Sequence, residues 1–215
     1  MTGAGILTVD TGASVIYNGA TLGGNLVVNG DIRIGATSLI TTTVSTNMTI
    51  GPTGDVTMAV GSVGGSIIDP PLSGQSYDQF KGAGNVTFNG TLSLDFASLF
   101  DGSSTLDPDA VTNYTTKWQL FDFGTYSGNF TNVDGFGAPA GWTAIDGTWT
   151  QGFQNSWESP VFNTAGQYLA FDQATGVLMV VPEPSAVMIA GLGVALAGWR
   201  LSRNRKAKKA AAAKA

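Results

Sequence analysis

From Ile6 to about Val63, hydrophobic and polar positions alternate with a period of two, in short β-branched runs broken by glycine. Such alternation predicts strands with one face turned inward. Four runs can be laid over one another: Leu7-Thr8-Val9, Leu26-Val27-Val28, Met48-Thr49-Ile50 and Val86-Thr87-Phe88. Each is followed within a few residues by a glycine (Gly12, Gly30, Gly51, Gly90) and then by a second alternating piece. The second pieces are Val15-Ile16-Tyr17, Ile32-Arg33-Ile34, Val56-Thr57-Met58 and Leu92-Ser93-Leu94. The first three runs start 19 and 22 residues apart. A loose period of about twenty predicts stacked β-coils, each burying its inward face only against its neighbours. The expected fold class is therefore mainly β. Residues 1–76 read as parallel β-helix or solenoid-like strands and 77–180 as a β-rich closing or capping region. No helix-period segment occurs before residue 180.

Two stretches thin into loops: 61–76, with Asp69-Pro70-Pro71, and 101–113, with Pro108. From Gly124 to Ser159 aromatics concentrate: Tyr126, Phe130, Phe136, Trp142, Trp149, Phe153 and Trp157. They could form a sugar-stacking platform. The preferred reading is that they plug an open end of the strand stack, because an uncapped end is an aggregation-prone edge.

The pattern breaks at Val181. Pro182-Glu183-Pro184 can continue neither a strand nor a helix interior and reads as an extended linker. The run Ala186–Trp199 is apolar on every face, with Ile189, Leu192, Val194 and Leu196 inside it. That composition predicts a C-terminal transmembrane α-helix. Counted from Pro184 to Leu201 it would span roughly 27 Å, short for a bilayer core but sufficient if Arg200 and Arg203 snorkel. Arg200, Arg203, Arg205, Lys206, Lys208, Lys209 and Lys214 follow. Cations directly after an apolar run predict a cytoplasmic C-terminus, with everything before Pro184 across the membrane.

Linker, apolar run and basic tail in this order resemble the PEP-CTERM sorting signal of bacterial exported proteins. The resemblance covers 181–215 and implies recognition of Pro182, Glu183 and Pro184 by exosortase, a membrane processing enzyme, with cleavage near them. It also implies a Gram-negative, exopolysaccharide-making source, and a product anchored in the membrane and then surface-bound or extracellular, as in a biofilm matrix. The tail departs from the family pattern by running on through Ala210–Ala215. An ordinary C-terminal anchor with a proline linker is the alternative. The repeated runs resemble autotransporter-like passenger domains, which form right-handed parallel β-helices. Tyr77-Asp78-Gln79-Phe80, Gly90-Thr91-Leu92, Trp118-Gln119-Leu120-Phe121-Asp122, Gly141-Trp142 and Gly176-Val177-Leu178-Met179-Val180 resemble the closing portion of such proteins.

Charge sharpens this division. Residues 1–183 hold Arg33, Lys81 and Lys117 against all 15 acids, a balance of 3 − 15 = −12, while the other seven cations follow the apolar run. An acidic body excludes binding of nucleic acid through its phosphates. The chain has neither cysteine nor histidine, which excludes disulfides, Cys/His metal sites and any catalytic arrangement needing either residue. Met1–Gly5 shows neither a basic n-region nor an apolar h-region, so a truncated start is expected.

Candidate chemistry is thin. Asp10-Thr11-Gly12 resembles an aspartic-protease active-site strand, which needs a second such aspartate that only a homodimer could bring. Its place among the aligned runs favours a turn. A polysaccharide lyase would have to use Arg33, Lys81 or Lys117, and a hydrolase paired carboxylates. Asp107-Pro108-Asp109 could ligate calcium but lacks the spaced ligands of a known loop. Asn47, Asn85, Asn89, Asn113 and Asn129 begin Asn-x-Thr triplets, read as compositional. The expected product is a non-catalytic surface or matrix protein with no metal or cofactor. Its partners would be exosortase, the membrane and extracellular polysaccharide. The alternative is a polysaccharide-binding or polysaccharide-degrading protein with a membrane anchor.

Overall fold

The computed structural model describes residues 5–35, 39–60, 77–96, 117–137, 145–152, 155–160 and 167–182. Its strands in chain order are β1 (Ile6–Val9), β2 (Ser14–Tyr17), β3 (Thr21–Leu22), β4 (Asn25–Val28), β5 (Asp31–Ile34), β6 (Thr41–Val44), β7 (Met48–Ile50), β8 (Asp55–Ala59) and β9 (Gln79–Phe88). There follow β10 (Thr91–Asp95), β11 (Lys117–Gln119), β12 (Phe121–Gly128), β13 (Asn132–Phe136), β14 (Gly147–Thr148), β15 (Thr150–Gln151), β16 (Ser156–Glu158), β17 (Gln167–Asp172) and β18 (Val177–Pro182). Contacts divide the chain into Met1–Val181 and Pro182–Ala215.

The alternating runs pair in parallel, side by side. Leu7 pairs with Leu26, Leu26 with Met48 and Met48 with Val86 in the first sheet. Val15 pairs with Ile32, Ile32 with Val56 and Val56 with Leu92 in the second. Inward positions are apolar because each row must exclude water: Leu26, Met48, Val86, Ile32, Val56 and Leu92 are all fully buried. Each such side chain contributes about 1.5–3 kcal/mol.

Glycine marks the corner where the chain leaves one sheet for the other. A Cβ on Gly30 would overlap the Asp10 carbonyl oxygen, one on Gly54 that of Val28 and one on Gly90 that of Gly54. Closeness there lets the rows bond across the corner. Asp55 N–H donates to Gly30 O at 3.0 Å, Thr91 N–H to Gly54 O at 2.8 Å and Thr131 N–H to Gly90 O at 2.8 Å. At the other end of these strands, where β4 and β7 begin, a ladder of asparagines runs along the first sheet. Asn47 N–H donates to Asn25 Oδ1 at 3.1 Å, Asn85 N–H to Asn47 Oδ1 at 2.8 Å, and Thr125 Oγ1 to Asn85 Oδ1.

The expected fold class needs correction. A solenoid keeps a constant repeat and separate faces, and this chain does neither. The aligned runs start at residues 7, 26, 48 and 86, so the last interval is 38 residues. At β9 two rows fuse: Gln79–Lys81 pair with β6, while Val86 and Thr87 pair with β7. Gly82 and Gly84 lie between those two pairings, where the register with β12 shifts between Phe123, opposite Gly82, and Thr125, opposite Asn85. Glycine in strand interiors permits such a bend. The first sheet, ordered β1-β4-β7-β9-β6-β3 with β12 on β9, thereby becomes a nearly closed parallel barrel instead of a solenoid. The second sheet is mixed, β14-β13-β10-β8-β5-β2, with β14 antiparallel on β13. A third, β11-β18-β17-β16-β15, has antiparallel pairings. No helix among the described residues is long and apolar enough to cross a membrane. Ala186–Trp199, where a transmembrane α-helix was expected, lies outside them.

Aromatic packing joins the first and third sheets. Phe88 stacks on Phe130 at 4.5 Å between ring centroids and meets Phe121 edge-on at 5.0 Å. Phe171 of β17 closes the group at 5.9 Å from Phe130 and 6.1 Å from Phe121.

Candidate functional site

The linker of the tail issues directly from a packed strand. β18 pairs antiparallel with β11, Lys117 opposite Met179, Trp118 opposite Leu178 and Gln119 opposite Val177. Leu178 and Val180 are buried. The hairpin leading into β18 is closed at Asp172, whose Oδ1 accepts Ala174 N–H at 2.9 Å and whose Oδ2 accepts the Thr175 hydroxyl at 2.7 Å. Gly176 completes the turn at φ +70°, a left-handed conformation that glycine adopts at little cost. The strand ends at Pro182, which has no N–H to offer a further rung.

Of the residues expected to carry sorting, Pro182 alone is described, as the last residue of β18. Glu183 and Pro184 lie outside the described residues. So do Ala186, Ile189, Leu192, Val194, Leu196 and Trp199, and Arg200, Arg203, Arg205, Lys206, Lys208 and Lys209.

The candidate catalytic groups are not brought together. Asp10 is exposed in a turn, its carbonyl accepting Ala13 N–H at 2.9 Å, with Gly12 at φ +80°. Arg33 reaches across the second sheet to Asp95, Nη2 to Oδ2 at 2.7 Å, and Asp95 is buried. Lys81 pairs with Asp122 at 3.0 Å on an exposed surface. Lys117 lies on β11. Asp107 and Asp109 lie outside the described residues, and among those described no three acidic residues group to hold a metal. Phe130, Trp149 and Trp157 are buried and form core, not an exposed stacking platform. Trp142 and Phe153 lie outside the described residues.

Sequence reasoning missed a carboxylate clamp. Asp78, wholly buried, accepts Ile40 N–H on Oδ1 at 3.0 Å and Ala59 N–H on Oδ2 at 2.8 Å. It fastens the entry to β6 to the end of β8. Burial, only partly offset by those two bonds and by nearby Arg33, pushes its pKa up to about 7. Burial also raises Asp55, against a bond from Ser93 at 3.1 Å. Asp78 stood out in the sequence only as part of Tyr77-Asp78-Gln79-Phe80, and nothing local showed that its partners would be Ile40 and Ala59. A shallow concavity of about 350 Å³ lies beside Tyr126, Asn129, Asn155 and Gln173. Its floor is tied together by buried Gln173, which accepts Phe130 N–H at 2.5 Å and donates to Asn155 O at 2.9 Å.

Residues 180–206 match the family model described as the PEP-CTERM protein-sorting motif. The match begins within β18 and covers the linker, the apolar run and the first part of the basic tail. This motif is a sorting signal and not a catalytic domain. No curated protein and no solved structure matches the chain.

Proposed function

We propose, starting from the PEP-CTERM sorting motif at residues 180–206, that the chain is a non-catalytic exported protein delivered to the bacterial surface or extracellular matrix through exosortase. Residues 181–215 are the sorting signal and 1–180 the cargo, with 1–76 and 77–180 sharing the first and second sheets. The roles follow from chemistry. Pro182, Glu183 and Pro184 form the stiff segment that exosortase reads, and Ala186, Ile189, Leu192, Val194, Leu196 and Trp199 hold the chain in the bilayer. Arg200, Arg203, Arg205, Lys206, Lys208 and Lys209 keep its end cytoplasmic until processing. The body then enters a polysaccharide-rich matrix. The observation that carries this reading is the motif itself, which begins within the last strand, β18, and runs on to residue 206.

Two variants test it in fractionated cells of a host with an exosortase: Glu183→Ala, and replacement of the seven tail cations by serine. Both should leave the body folded and move it out of the surface fraction. Normal sorting of both would overturn the reading.

A polysaccharide-degrading role has less support. Asp78 and Asp95 are buried, and the tryptophans described in 145–160 face the core. Incubating the chain with neutral and acidic glycans separates the alternatives: reducing ends or unsaturated products mark an enzyme, and retention without turnover marks a binding module.

A further inference from the structure

Three segments meet around the concavity of about 350 Å³. Tyr126, Ser127 and Asn129 come from β12 and the turn after it, Asn155 from just ahead of β16, and Gln173 and Ala174 from the hairpin between β17 and β18. Gly128, at φ +70°, turns the chain so that Phe130 enters the core while Asn129 stays exposed. Asn155, at φ +63°, is the one non-glycine residue in the left-handed region among the described residues. Such a backbone persists where its surroundings hold it. Gln173, 2% exposed, does so: its Nε2 donates to the Asn155 carbonyl at 2.9 Å while its Oε1 accepts Phe130 N–H. The second N–H of that buried amide has no acceptor among the described residues. The side-chain amides of Asn129 and Asn155 are also unbonded among those residues. Tyr126 is half-buried, and its hydroxyl donates to Phe121 O at 2.8 Å and accepts Phe123 N–H at 3.1 Å. What it offers the concavity is its ring.

We propose that this concavity is a binding subsite for a neutral sugar of an extracellular polysaccharide. Three amides in one hollow match sugar hydroxyls, because amides and hydroxyls alike both donate and accept. An aromatic ring beside them suits the apolar face of a sugar. Charge selects the neutral class. From Trp118 to Pro182, the stretch that supplies the whole lining, the chain has no lysine or arginine against five acids. A uronate or a phosphate would meet no counter-charge there and would be repelled. The volume is at the low end of the ~300–1,000 Å³ common for ligand sites, which suits a short stretch of glycan. Asp172, next to Gln173, has both oxygens engaged, by Ala174 N–H and the Thr175 hydroxyl. The site therefore holds a sugar without cleaving it. The proposal rests on the polysaccharide-rich matrix proposed above for its partner, but binding by the purified chain and sorting in cells fail separately.

The full chain, kept in mild detergent, is titrated against gluco-, manno- and galacto-oligosaccharides and against oligogalacturonate, with binding read by saturation-transfer NMR of the sugar. At least one neutral oligosaccharide should bind and oligogalacturonate should not. Asn155→Gly keeps the left-handed backbone, which glycine adopts freely, and removes only the amide. That variant and Asn129→Ala should each weaken binding about fivefold, as for one lost hydrogen bond, with the urea midpoint unchanged. Failure of all three neutral sugars to bind at millimolar concentration would overturn the proposal. So would equal binding of oligogalacturonate, or neutral binding that both variants leave intact.

Discussion

Asp78 is a carboxylate held by two backbone N–H groups with its pKa pushed to about 7. In an unfolded chain an aspartate titrates near 3.9, so between these values the folded state binds the extra proton. The contribution is therefore complete below pH 4 and is lost as pH rises through 7. No histidine is present, so no other side-chain type ordinarily titrates between pH 6 and 8. The urea midpoint should fall as pH rises from 6 to 7 and level off above 7, and Asp78→Asn should flatten the slope. At pH 6 the same variant should cost about 1–3 kcal/mol, because one N–H loses its acceptor. A midpoint in the variant that still falls from pH 6 to 7 would assign the slope to another group. Gly54→Ala tests the corner. Its new Cβ overlaps the Val28 carbonyl, and backbone cannot yield as a flexible side chain would. A loss of about 2–4 kcal/mol in urea unfolding is expected, comparable to other severe strain.

At the scale of elements, β9 does what two shorter strands do in the rows beside it. Its Gly82-Ala83-Gly84 segment turns the strand from its pairing with β6 to its pairing with β7. Phe88 at its end carries the aromatic group that ties β17 of the third sheet to the first. Phe88→Ala should cost about 3–5 kcal/mol by chemical denaturation, the range for emptying a buried aromatic site. The asparagine ladder is worth less per rung. Asn47→Ala removes the acceptor of Asn85 N–H in an exposed corner and should cost about 1 kcal/mol. The Asn47 and Asn85 triplets looked compositional in the sequence, since a hydrogen bond between residues 38 apart leaves no local mark.

For the whole molecule, the end of β18 separates body from signal. Leu178 and Val180 are buried in the third sheet, and contacts divide the chain at Val181. Ending the chain after Pro182 keeps every described strand, and the unfolding free energy of the body should stay within about 0.5 kcal/mol of that of the full chain. Ending it after Gly176 removes β18 and strips Trp118 of its cross-strand partner Leu178. That shorter chain should lose its cooperative unfolding transition.

The amino-acid order alone determined what depends on neighbours along the chain. Period-two alternation marked the strands, and the aligned runs carry their own register, Leu7 to Leu26 to Met48 to Val86. Proline, apolar run and cations marked the sorting signal, because topology in a membrane is read from contiguous segments. What joins distant rows was decided only by tertiary structure. The bend of β9, which turns an expected solenoid into a nearly closed barrel, depends on which strands lie on either side of Gly82 and Gly84. The raised pKa of Asp78 depends on burial and on two N–H groups far along the chain. Both arise from packing in three dimensions, which periodicity along the chain does not encode.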